Sequence, residues 1–124
     1  MTMKELDRQR KEEVRERIRA EREAKREAKA DCMREEQRIK AEWHISNAER
    51  EIAYCSRMVE RYEKRAAELE YKVSYFESVG LPHAGIEAQM LKVQDDLFKQ
   101  QERVSKARLE LVVWTHRLEN IDLF

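Results

Sequence analysis

Gly80-Leu81-Pro82-His83-Ala84-Gly85 decides how this chain folds. Both glycines and the single proline of the 124-residue sequence lie in these six positions. Glycine and proline are the strongest punctuators of helices. A chain that uses them in one place only predicts one turn between two long helices. Gly80 suits the left-handed position just past a helix end, where a Schellman motif closes the last turn. That motif favours an apolar contact between Leu81 and Phe76. Pro82 cannot continue the incoming helix, and its fixed φ suits the first turn of the next. The turn is expected over residues 80–85, with Gly80, Pro82 and Gly85 as its marks. A glycine loop that cradles phosphate would need a strand before it, and the pattern offers none.

Working outward, both flanks carry heptad-spaced apolar residues. Before the turn come Ile45, Ala48, Ile52, Cys55, Val59, Tyr62, Ala66, Leu69, Val73 and Phe76, stepping alternately by three and four. After it come Ile86, Met90, Val93, Leu97, Gln100, Val104, Ala107, Leu111, Trp114, Leu118 and Ile121, with Gln100 the only polar member. Such seams are the signature of helices that pack lengthwise. A short connection makes the two helices antiparallel neighbours. The expected fold is all-α: an antiparallel two-helix coiled-coil hairpin over residues 45–124, with helices at 45–79 and 86–121. Folding about position 83 pairs Phe76 with Met90, Leu69 with Leu97, Tyr62 with Val104, Val59 with Ala107 and Ile52 with Trp114. It also places Glu51 near Arg117 and Lys72 near Asp96, and sets Tyr62 one layer from Gln100.

Residues 1–44 read differently. Apolar positions there are sparse and hold no heptad, and 14 basic residues stand against 12 acidic ones. Asp7–Lys11, Glu13–Arg17, Glu21–Lys25 and Glu36–Lys40 place an acid four residues before a base, a spacing that supports an isolated helix. The expectation is a charged helical arm. Arg15, Arg17, Arg19, Arg22, Lys25, Arg26 and Lys29 give it an RNA-contacting alternative, although the chain as a whole has 26 basic and 26 acidic residues and zero formal charge. Proteins that live on nucleic acid usually carry a basic excess.

Catalytic and metal-binding constellations are not expected. His44, His83 and His116 stand apart, with His83 read as a solvated loop residue. Acidic pairs such as Glu12-Glu13 and Asp95-Asp96 point around a helix, and a hairpin offers no concave pocket. No cofactor, metal or enzymatic activity is therefore predicted. No apolar run is long enough to span a membrane, and the N-terminus lacks the apolar core of a signal peptide. Cys32 and Cys55, about 35 Å apart on one helix, are too distant for a disulfide. These features point to a reducing intracellular compartment, cytoplasmic or cytoskeletal first and mitochondrial second.

Large apolar residues also lie off the seam. Leu91, Phe98, Leu109, Val112 and Val113 fall on the second helix. Trp43, Tyr54, Met58, Tyr71 and Tyr75 fall on the first, and Leu123 and Phe124 at the end. Trp43, Leu91, Phe98, Leu109, Val112, Val113 and Phe124 are the candidate partner-binding residues, since clustered exposed apolar side chains mark interaction surfaces. The expected partners are other protein subunits of a large assembly, or a second copy of the chain.

Overall fold

The computed structural model describes residues 2–121 and contains two helices, α1 (Met3–Ser78) and α2 (Ala84–Glu119), packed as an antiparallel hairpin. The all-α hairpin read from the sequence is the fold. Helix α1 runs unbroken for 76 residues, so the charged arm and the first arm of the hairpin are one helix about 114 Å long. Nothing between residues 3 and 78 can interrupt it, because glycine and proline are absent there.

Thr2 starts α1 with a capping box. Its hydroxyl accepts from the Glu5 N–H at 3.4 Å, and its own N–H donates to the Glu5 carboxylate at 3.2 Å. Threonine followed three residues later by glutamate is the motif that satisfies orphan N–H groups at a helix start. Along the arm, the ion pairs formed among the described residues are Arg34–Asp31 at 2.9 Å and Arg38–Glu35 at 3.4 Å. Both are three apart with the acid first. The four-residue pairs expected there are replaced by these. Exposed pairs of either spacing contribute little, so the arm's helicity rests mainly on propensity.

The turn has the anticipated chemistry in a tighter form. Gly80 takes φ +73°, and it alone among the described residues has positive φ. The Gly80 N–H donates to the Glu77 carbonyl at 3.2 Å, and the Leu81 N–H reaches back to the Phe76 carbonyl at 2.9 Å. These are the two bonds of a Schellman motif. Leu81 itself stays half exposed. Helix α2 begins at Ala84, with His83 as its N-cap residue and the His83 carbonyl accepting from Ile86 and Glu87. The turn therefore spans Val79 to His83 rather than 80–85. Pro82 precedes the cap instead of occupying the first helical turn. Gly85 is helical, with open space where a Cβ would stand.

Every seam position named above is buried or half-buried, with Ala48, Cys55, Leu69, Val104, Ala107 and Ile121 the most enclosed. The register, however, is one heptad away from the expected one. The Trp114 ring stacks on His44, a pair centred on Val79, instead of meeting Ile52. Ala107 borders the same cleft as Ala48 and Glu51 instead of Val59. Val104 lies by Ser56 and Val59 instead of Tyr62. The charge partners change accordingly: Glu51 receives Arg103, whose Nε donates at 2.9 Å, rather than Arg117. The expectation placed the fold point at His83 because it kept both glycines outside the helices. A Schellman turn reverses the chain sooner, and Gly85 joins α2.

The slide carries α2 further down α1. Ile121 sits against Gln37, Lys40 and Ala41, and Ala41 is almost fully buried. The contact between the helices thus extends past Ile45 toward the arm. Gln100 is enclosed in the seam, and its Oε1 is buried without a hydrogen-bond partner, so the Tyr62–Gln100 contact is not made.

Three consequences are measurable by urea unfolding. Gly80→Ala forces a Cβ into the left-handed region and should lower stability by about 1–2 kcal/mol. Gly85→Ala replaces a helical glycine facing open space and should raise it by about 0.5–1 kcal/mol. Gln100→Leu removes an unpaired buried carbonyl and should stabilise the hairpin by about 1–3 kcal/mol. A loss of stability in that variant would mean that Gln100 is satisfied in solution.

Candidate partner-binding surface

A residue on a helix faces its neighbours three and four positions away, so lines of side chains run along each helix. The seam uses one line of each helix. What the other lines carry defines the surface of the hairpin. On α2, Leu91, Phe98 and Val112 recur at multiples of seven, and Leu109 stands one turn before Val112. All four are more than half exposed. They form one apolar line turned away from α1, interrupted by Asp95, Glu102 and Ser105. The structure therefore brings Leu91, Phe98, Leu109 and Val112 together. Val113 lies a further step around the helix and is less exposed. Phe124 lies outside the described residues.

Trp43 belongs to a different surface. It lies on α1, is exposed, and sets its ring edge-on to His44 at 4.9 Å. His44 stacks in turn on Trp114, with centroids 3.9 Å apart and planes within 7°. The Arg117 guanidinium lies over the other part of this cluster, 4.6 Å from the Trp114 ring, with Lys40 at 5.8 Å. Cation–π contacts of this kind contribute about 0.5–1 kcal/mol each at exposed sites. Trp43 thus serves the open end of the hairpin as well as the surface.

The outward line of α1 was only half legible. Trp43, Tyr54, Tyr71 and Tyr75 are off-seam aromatics by their spacing, and all four are at least half exposed. Between them on the same face stand Arg50, Arg57, Arg61 and Lys64, and none of these four makes an ion pair among the described residues. The seven-residue spacing of Arg50, Arg57 and Lys64 was the available signal. The outer faces of the two helices differ in kind: aromatic and basic on α1, apolar and acidic along the line of Leu91, Phe98, Leu109 and Val112 on α2.

His83 is not a solvated loop residue. It is half-buried, with Nε2 3.4 Å from Glu77 and 3.1 Å from Glu87, and Nδ1 3.3 Å from the Leu81 carbonyl. The three side chains bridge the end of α1 and the start of α2. Their ligand atoms lie within 4.8 Å of one another, so they are the residues that could hold a divalent cation. An imidazolium held between two carboxylates has the same arrangement and needs no ion.

Cys55 is buried in the seam, with its Sγ 3.5 Å from Glu51 Oε1. Burial pushes its thiol pKa up, and the Glu51 carboxylate pushes it further, while Arg103 opposes weakly. Cys32 is exposed on the arm. Among the described residues no helix is long and apolar enough to cross a membrane.

Fold and surface together define a two-helix hairpin that carries a charged helical extension and an apolar outer face. Comparison with known proteins finds no relative: no family model matches the chain, and neither a curated protein nor a solved structure matches it.

The two thiols should separate in maleimide labelling at neutral pH. Cys32 should react at once, and Cys55 at least about tenfold more slowly, because the thiolate is the reactive form and burial suppresses it. Equal rates in the folded protein would show that the seam opens freely around Cys55.

Proposed function

We propose that the protein is a non-enzymatic structural subunit that docks by helix packing into a large multi-protein assembly, cytoskeletal or ciliary, or else a mitochondrial complex. The observation that carries this reading is the apolar line of Leu91, Phe98, Leu109 and Val112, exposed outside a seam that already satisfies the hairpin. Coiled-coil pieces of this shape work as struts and tethers. A continuous helix of 76 residues, exposed at every position from 3 to 29, extends the reach of such a piece. A reducing intracellular compartment fits its two free thiols.

A second reading is supported by the arm. Arg15, Arg17, Arg19, Arg22, Lys25, Arg26 and Lys29 are exposed and make no ion pair among the described residues. An accessory protein of the ribosome or another RNA would use them on phosphates, and its binding would fall steeply with salt.

One experiment separates the two. The tagged chain is recovered from its native source with nuclease, at low and moderate salt, beside a Phe98→Asp/Leu109→Asp variant. Recovery of a fixed stoichiometric set of proteins at both salts, lost in the variant, supports the structural subunit. Recovery that collapses with nuclease or salt moves the reading to RNA. Recovery of neither proteins nor RNA removes both.

A further inference from the structure

We propose that the chain's own second copy is a partner of its outer faces: the apolar, acidic line of α2 packs on the basic line of α1 in the next molecule, side by side and level, so that hairpins join in a row. The proposal rests on the reading that the α2 outer line is a docking surface, and it names what covers it.

The argument is one of register. Two antiparallel helices rise equally, so each step forward along α2 is level with one step back along α1. Trp114 is level with His44 or Ile45. By the same count Glu102 is level with Arg57, and Asp95 with Lys64. A neighbour displaced sideways, with no shift along the axis, therefore sets these acids of one copy opposite those bases of the next. Phe98 then comes level with Arg61, a cation–π pairing, and Leu109 with Arg50 next to Tyr54. Arg57 and Lys64 on α1 and Asp95 and Glu102 on α2 share the same seven-residue spacing, so one alignment makes both charge pairs. A displacement of half a heptad would lose it.

The free charges agree. Arg50, Arg57, Arg61 and Lys64 have no ion-pair partner among the described residues, and neither has Glu102. Asp95 is held by Lys99 of its own helix at 3.0 Å, an exposed pair that a neighbour's lysine can share. Zero net charge on the chain removes the general repulsion that would keep copies apart.

The two faces belong to opposite sides of the hairpin, so the contact is heterologous. Each copy offers one face of each kind, and association does not stop at a dimer unless the row closes on itself. Rows of hairpins built this way would bury the α2 line of every copy but the last.

Sedimentation velocity on the purified full chain tests this over a range of concentrations and at low and high salt. The expected result is a mass that climbs beyond the dimer with concentration at low salt and falls toward the 15.0 kDa monomer at high salt. Two charge-reversed proteins sharpen it: Arg57→Glu/Lys64→Glu on α1 and Asp95→Lys/Glu102→Lys on α2. Each alone should associate at least about tenfold more weakly, since like charges now face each other. Mixed in equal amounts they should recover wild-type association, because each altered face fits the other protein's altered face. Circular dichroism confirms that both fold; all four positions are on the surface.

A wild-type chain that stays monomeric under all conditions overturns the proposal. So does association untouched by the α1 reversal, which would mean that α2 faces pair with each other. A mixture that fails to recover also overturns it. A monomeric chain that still recovers its stoichiometric set from the native source would sink the self-partner alone and leave the docking surface standing.

Discussion

The left-handed Gly80 and the bond from the Leu81 N–H to the Phe76 carbonyl fix where the chain reverses. Much of the rest depends on that. A seam of alternating three and four steps looks the same after every heptad, so apolar burial alone permits several alignments of α2 on α1. Each would place apolar residues opposite apolar residues. The closed turn selects one. It reverses the chain within five residues, starts α2 at Ala84, and so puts Trp114 beside His44 and Arg103 beside Glu51.

Energetics divide along the same lines. The largest favourable contribution is the burial of side chains such as Leu69, Val104 and Ile121 between the helices. The polar contacts add direction rather than strength. Glu51 and Arg103 remain partly exposed, so their pair adds little to stability. At the closed end, His83 ties the last turn of α1 to the first turn of α2 through Glu77 and Glu87. At the open end, the stack of His44, Trp114 and Arg117 does the equivalent with aromatic surface. Gln100 works against the seam, since its buried oxygen finds no donor.

A single seam leaves most of each helix surface unused, and the surfaces proposed for docking lie there. The arm exposes charge on every side. The hairpin exposes two lines of different character, one basic and aromatic, one acidic and apolar. A protein built this way offers area and complementarity, and its clefts are shallow grooves along the seam. The proposals above follow from that distribution, with packing as the mechanism.

The sequence by itself determined the helices, their number, the place of the turn and which face of each helix is buried, because these depend on local properties: backbone freedom at Gly80, the absence of breakers elsewhere, and spacing along one strand of helix. It also showed that Leu91, Phe98, Leu109 and Val112 lie off the seam, since angular position follows from spacing alone. Only the tertiary structure decided the register, the length of the turn, and the setting of His83 and Trp114. A heptad pattern is periodic and cannot count its own repeats, and the earlier start of α2, at Ala84 and Gly85, is settled by how tightly the backbone closes. The match between the basic line of α1 and the acidic line of α2 was hidden for the same reason: residues of two helices come level only after the register is set.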